Sequence, residues 1–530
     1  MAQSGDPIGI AERAAGSSAA AEASPAAGTT RRRWLAVAGC VAGCLALIAI
    51  FVRISMTARV MSDGATIALQ SWDMLHGHLL LHGWQVSDLN CYFIELPVIA
   101  VAEGLFGLGD FAQHVGSALT YTLVAVVAMA AAMTGSYGTV RAVRCGIVLT
   151  VLAAPLFAGT MFLVVEEPDH IGTTALIIGS FLLIDRFAGR RFAVPLLLVV
   201  LTAGQFDDLT VRYVAVPAVL AVCALRAVAA RSFRSPDALM AYTALASVPL
   251  SALFSKLWVH IGGFVTPSLW QGLAPVRKWP HHVRITWANI RVLYGAHGVT
   301  NIAPGPKAYF GLACLLAAVF GFACVAWRWR RASRTDQMIA VAVICNVGMY
   351  VPSGFAYPGN AHELALLLPS GAVLAARALT PARIARTRVA FAAIAAVALV
   401  AALPLAYAAT RPSFQPPKAP LAAFLEAHRL TYGLGTYDDG PTVTVLSHNA
   451  VQLVPIHVGA TTLAPYTFEA KRQWYSPALH DATFVVARPD LRTPPSLFLH
   501  YFGAPAATYR LDNWVIMVYR KNLLSLLSAR

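Results

Sequence analysis

SDGATIALQSWDMLHGHLLLHGWQVSDLNCYFIELP, residues 62–97, lies between the first two long apolar runs of a 530-residue chain. It carries Asp63, Asp73, Asp88 and Glu95 with His76, His78 and His82, although only 12% of the chain is charged. Ionisable residues this dense between apolar runs read as a loop at a membrane surface, here the first outer loop, 56–111. Its carboxylates are the first candidates for chemistry, because a carboxylate can take a proton or ligate a cation.

Composition agrees with a membrane reading. Hydrophobic residues make up 58% of the chain, and mean hydropathy is +0.62. Repeated apolar runs near 20 residues call for spanning helices. The net charge of +15 would suit nucleic acid in a soluble protein. Here Arg gathers in short clusters between apolar runs, so membrane orientation explains it and nucleic acid is excluded as a partner. Seven of the eight cysteines lie in or beside apolar runs and Cys91 stands alone in the loop, so no disulfide framework or metal spacing is present.

Taken in order, residues 1–30 are an Ala/Gly/Ser-rich tail expected to be disordered. Arg31, Arg32 and Arg33 then hold the start of the run 34–52 in the cytoplasm. Further spans are expected near 112–135, 144–163, 171–187, 192–206, 210–230, 238–260, 308–327, 337–352, 362–378 and 388–409, about eleven with the first. Arg clusters at 141–144, 186–191, 226–234, 328–334 and 377–388 all fall on the cytoplasmic side of that arrangement. The expected protein is therefore multi-pass in the plasma membrane, with a transmembrane domain over 31–410. The run 92–108, broken by Glu95, Pro97 and Glu103, reads as an interfacial helix. The long outer loop 261–307 interleaves Arg277, Lys278 and Arg284 with Trp270, Trp279 and Trp287, a pattern for lipid headgroups or a lipid phosphate. A Pro-rich linker, 411–420, leads to 421–530. There a helix at 419–429 and strands at 442–447, 451–458, 483–488 and 513–520 predict a small extracytoplasmic α/β domain.

No phosphate-binding loop, dinucleotide fingerprint or zinc-protease motif is present. What remains is carboxylates, histidines and basic residues at the outer ends of spans. Asp63 could deprotonate a hydroxyl, or hold a divalent metal with Glu95. Ser62-Asp63-Gly64 before ATIALQSWDML is equally a helix-cap signal. Asp438-Asp439 before Gly440-Pro441 reads as turn chemistry.

The layout resembles the GT-C superfamily of membrane glycosyltransferases, which includes protein O-mannosyltransferases and aminoarabinose transferases. Asp63 matches the acid that follows the first span in that family, Gly77-His78 and His82-Gly83 the end of its interfacial helix, and Glu95-Leu96-Pro97 the closing acidic/proline element. The likeness is best over 34–135. PDHIGT (168–173), HELALLLPSGAVLAAR (362–377) and YGLGTYDDGPTVTVLS (432–447) give the chain the look of actinobacterial membrane proteins of this type. Two features depart: Gly64 stands where a second acid is common, and Leu96 replaces a proline. The resemblance implies a polyprenyl-phosphate sugar donor, a cell-envelope acceptor and inversion, with Asp63 as base or metal ligand and Glu95 beside it. Asp88, His78, His82, Glu167, Asp169 and His170 are the accompanying substrate contacts. Two other readings stay open: a lipid or solute transporter or flippase, and a catalytically inactive GT-C relative that serves in binding or assembly, for which Gly64 argues.

Overall fold

The computed structural model describes residues 25–160, 170–267, 272–300, 305–380, 389–459, 462–489 and 493–527. Of the tail expected over 1–30, residues up to 24 lie outside the described residues, and 25–30 are already helical. The chain divides into two compact units, one up to Ala46 and the other Leu47–Arg530. The first unit is the opening part of the helix Pro25–Ser55. Everything below concerns the second.

Helices occupy every expected span among the described residues. Among the described residues, eight helices are long and apolar enough to cross a membrane, including Asp110–Met133, Thr139–Ala158, Val211–Ala229 and Pro306–Trp327. The spans expected at 171–187, 192–206 and 337–352 are the shorter helices Ile171–Phe187, Ala193–Asp207 and Arg334–Tyr350. Helices are the form such runs must take in lipid, where only internal hydrogen bonds satisfy the backbone. The run 92–108 contains the helix Glu95–Phe106, which packs on Ser62–Leu75 and Asp110–Met133.

Small residues set the closest helix pairs. A Cβ on Gly321 would lie 2.5 Å from the carbonyl carbon of Leu374 and 2.6 Å from the Ala375 nitrogen, so Pro306–Trp327 and Leu367–Leu379 meet backbone to backbone. Gly321→Ala is expected to cost about 1–3 kcal/mol by forcing these backbones apart, read as a lower Tm in detergent. Gly348→Ala, with open space at its Cβ, should not lower Tm. Equal effects of the two would refute this account of the packing.

The C-terminal region is an α/β layer. Its strands are β2 (Tyr432–Gly435), β3 (Gln452–Val458), β4 (Leu463–Pro465), β6 (Phe484–Ala487), β7 (Ala507–Leu511) and β8 (Trp514–Val518); β5 (Ala470–Lys471), between β4 and β6 in the chain, forms a separate pair with β1 (Trp84–Gln85) of the first loop. The six-stranded sheet has the order β4-β3-β2-β6-β8-β7, with β3, β2 and β6 parallel. The strand expected at 442–447 is instead the helix Gly440–Leu446. Parallel β2 and β3 cannot be joined by a hairpin and need a crossover, and Pro441 in the first turn starts one. Its β-branched residues are buried on both sides, between β3 and the Ser62–Leu75 helix, so packing overrides their strand preference. β1 pairs antiparallel with β5, which stitches the first loop to the C-terminal region.

Candidate active site

Asp63 sits in the first turn of the Ser62–Leu75 helix, but it does not cap it: Met61 is the N-cap and no side-chain cap bond forms. That turn is tied instead to the C-terminal region. Ser62 Oγ donates to the Asp438 carbonyl at 2.8 Å, and the Tyr437 hydroxyl donates to Asp63 Oδ1 at 2.6 Å. The same hydroxyl contacts Glu469 Oε2. A phenol has one proton to give, so Tyr437 donates to one of the two carboxylates at a time. Burial, then the charges of Glu469 and Asp63, push the Tyr437 hydroxyl up, so it stays protonated.

A separate cavity of about 680 Å³ is lined by neither Asp63, Tyr437 nor Glu469. Asp88, His170, Asp208 and Glu363 face it from one set of loops, and Arg212 and Lys256 from two helices. Phe206, Trp258, Phe264, Met349 and Phe355 supply apolar wall. Arg212 is carried by a π-helical turn, Val211–Ala215, a form that recurs at functional sites. Its Nε donates to Gln205 Oε1 at 3.3 Å. His170 holds φ +54° at the start of Ile171–Phe187. Its Nδ1 is 2.7 Å from Asp208 Oδ2 and its Nε2 3.6 Å from Glu363 Oε2. Burial pushes the Asp208 carboxyl up, but the charge and hydrogen bond of His170 outweigh it and hold the group below its ordinary value. The His362 ring stacks on His170 at 6.1 Å, within electrostatic reach of both Asp63 and Asp88.

Glu95 has a different setting. It is fully buried, and its Oε1 accepts from the Gly172 backbone N–H at 2.9 Å, capping the Ile171–Phe187 helix from outside it. Burial, then the charge of Asp207, raises its carboxyl well above the ordinary range. A Cβ on Gly172 would sit 2.1 Å from Glu95 Oε1, so only glycine leaves room for the cap. Among the described residues no group of three or more His, Cys, Asp or Glu has metal-site geometry. Of the expected Asp63/Glu95 pair, Asp63 Oδ1 accepts from Tyr437 and Glu95 Oε1 from the Gly172 N–H.

The remaining expected contacts scatter. His78 Nδ1 meets Asp73 Oδ1 at 2.7 Å, and Asp73 also accepts from Trp84 and Lys471, each at 2.8 Å. His82 Nδ1 lies 3.0 Å from the Gly262 carbonyl. Arg277, Lys278 and Arg284 are exposed on Val276–Lys278 and Trp279–Leu293, with Trp279 and Trp287 exposed beside them. Glu167 and Asp169 lie outside the described residues. Asp88 and His170 are the expected contacts that the cavity brings together. Sequence reasoning missed Arg212 and Lys256, which fall inside apolar helices, and Tyr437 and Glu469, which lie about 370–400 residues from Asp63 in the chain. The charge of Arg212 just after Asp207-Asp208 was the available signal.

The molecule is similar to solved membrane proteins. It matches ArnT from Cupriavidus metallidurans in the apo state with a TM-score of 0.56 and 15% identity, over 93% of this chain and 100% of that one. It matches ArnT bound to undecaprenyl phosphate with a TM-score of 0.51 and 15% identity, over 94% and 99%. The arabinofuranosyltransferase AftD from Mycobacteria is matched with a TM-score of 0.45 and 15% identity, over 93% of this chain and 40% of that one. No family model matches the chain, and no curated protein matches it by sequence. The protein is a polytopic helical membrane protein with a small C-terminal sheet. Its fold is similar to that of ArnT.

Proposed function

We propose that the chain is an inverting glycosyltransferase that moves a sugar from a polyprenyl-phosphate donor to a cell-envelope acceptor at the outer face of the plasma membrane. The N-terminus is then cytoplasmic and the C-terminal region extracytoplasmic. The observation that carries this reading is the cavity, where Arg212 and Lys256 stand among apolar walls and opposite carboxylates. A phosphate seeks such cations, a polyprenyl chain seeks such walls, and ArnT of the same fold holds undecaprenyl phosphate.

In this reading Asp63 takes the proton of the acceptor hydroxyl as its oxygen attacks the anomeric carbon. The bond from that carbon to the phosphate oxygen breaks on the opposite face, and the electron pair leaves with the phosphate. Arg212 and Lys256 meet the charge that develops there. Tyr437 and Glu469 orient Asp63, and Glu95 holds the helix that begins beside His170. Membrane lipids contact Trp279, Trp287 and the basic residues around them. No step is routed through a metal.

Transfer of radiolabelled sugar from polyprenyl-phosphate donors to membrane acceptors tests the reading. Arg212→Gln is expected to raise the donor KM about 10- to 100-fold, from the worth of a charged hydrogen bond. An unchanged donor KM would remove Arg212 from the phosphate site. Lipid or solute movement without transfer would favour the transporter reading.

A further inference from the structure

Three cations gather at one end of the helix bundle, away from the cavity. Lys307 stands in the first turn of Pro306–Trp327, Arg411 lies just past Val389–Ala409, and Arg53 is near the end of Pro25–Ser55. This end carries the first loop, since the Phe414 N–H donates to the Met56 carbonyl at 2.8 Å. Lys307 Nζ donates to the Tyr407 hydroxyl at 2.5 Å and lies 4.1 Å from the centre of its ring. The Arg411 guanidinium lies 5.5 Å from the same ring centre. Arg411 is held from two sides. Arg53 Nη2 donates to its carbonyl at 2.5 Å, and its guanidinium packs over Gly159, where a Cβ would lie 2.9 Å from Nη1.

Aspartates pair with Arg334, Arg377, Lys418, Lys471 and Arg488. Among the described residues, no carboxylate pairs with Lys307, Arg411 or Arg53. Two like charges on one tyrosine repel each other, and an anion shared by them removes that cost. Lysine has three N–H donors and arginine five, so one bond to Tyr407 leaves donors for an anion with several oxygens.

The surroundings say which anion. The cluster caps two helices long and apolar enough to cross a membrane, Pro306–Trp327 and Ala392–Ala409. Both pack on Thr139–Ala158. Their free faces are apolar: Tyr309 and Leu316 are 55% and 58% exposed on one, and Leu399 and Leu403 each 59% on the other. Phe157 extends the aromatic patch, 5.3 Å from the Tyr407 ring and 5.8 Å from Lys307 Nζ. Aromatic side chains at the ends of spans sit at headgroup level, and basic groups there attract acidic headgroups. A soluble anion would satisfy the cations alone, whereas a lipid also covers the apolar faces below them. We propose that Lys307, Tyr407 and Arg411 hold the phosphate of an anionic phospholipid whose acyl chains lie along Pro306–Trp327 and Val389–Ala409. Arg411 opens the linker to the C-terminal region, so the lipid fastens that junction to the bilayer. The site is independent of the glycosyltransferase reading.

Native mass spectrometry of the purified full-length chain in detergent tests it, with phosphatidylglycerol and phosphatidylcholine of the same acyl chains as probes. The first phosphatidylglycerol is expected to bind more tightly than the first phosphatidylcholine. Lys307→Gln and Arg411→Gln should each cut that preference about tenfold, the worth of a charged hydrogen bond. The ratio of the two lipids is the readout, because a variant that folds poorly would lose both alike. Arg510→Gln, which removes an exposed charge on β7, should keep the wild-type ratio. Equal binding of the two lipids by wild type overturns the inference. So does a ratio unchanged in both Lys307→Gln and Arg411→Gln, or lowered as much in Arg510→Gln. Loss in Arg277→Gln alone would assign the lipid to the interfacial helix instead. Displacement of phosphatidylglycerol by an equal concentration of glycerol phosphate would show a site for a soluble anion and overturn it as well.

Discussion

Asp63→Asn is expected to lower kcat for sugar transfer by about 10²- to 10⁴-fold at equal membrane abundance, the usual worth of a general base. The substitution keeps the shape of the side chain, and its Oδ1 still accepts from Tyr437, whose bond to Asp63 is 2.6 Å. It removes the capacity to take a proton and nothing else of comparable size. The cavity proposed for the donor is left intact, because its cations Arg212 and Lys256 lie on other elements, so donor KM should change little. Tyr437→Phe is expected to cost less, about tenfold, because it frees Asp63 to move without altering its basicity class. A transfer rate in Asp63→Asn within a factor of about two of wild type would rule out Asp63 as base. The same assay would then turn to Glu363 and Asp88, which share the cavity with His170.

Much of this arrangement can be read from residues, and the part that cannot has a physical cause. The spans were legible because a bilayer demands long apolar runs and the Arg clusters keep count of the crossings. Asp63 stood out as a candidate because it follows a span closely, in a loop where charge is conspicuous. Its partners were not. Tyr437 and Glu469 reach Asp63 only because β1 pairs with β5 and Gly440–Leu446 packs on the Ser62–Leu75 helix, contacts that no local pattern encodes. The segment 442–447 misled for a related reason: TVTVLS has strand propensity, yet the parallel pairing of β2 and β3 needs a crossover there. Arg212 was hidden by its apolar surroundings; it sits in the π-helical turn Val211–Ala215 and lines the cavity. Glu95 stood out as an acid in an apolar run, while its bond to Gly172, 77 positions away, had no local signal.

Glu103, the other acid of that run, should make the stability of the protein fall as pH rises from about 4.5 to 8. It is 1% exposed, and its Oε2 is 2.8 Å from Ser71 Oγ, which itself donates to the Ala68 carbonyl at 2.9 Å. Ser71 has one proton. If that proton goes to Ala68, Glu103 must supply the other, so both contacts are satisfied only with a neutral carboxyl. Burial pushes the Glu103 carboxyl from 4.5 up to about 8, against a smaller opposing effect of Ser71. The folded state thus keeps a proton that the unfolded chain has lost, and the unfolded state gains on the folded one across that interval. At 1.36 kcal/mol per pH unit the full interval is worth at most about 5 kcal/mol. Below about 4.5 both states are protonated and above about 8 neither is, so the dependence on Glu103 flattens at both ends. Glu103→Gln keeps the hydrogen-bond pattern, since its amide can donate to Ser71 where the neutral acid does. The variant should match wild type near pH 4.5 and exceed it in Tm by several degrees at pH 8 in the same detergent. A Tm difference that is the same at both pH values would show that Glu103 is ionised in the folded protein.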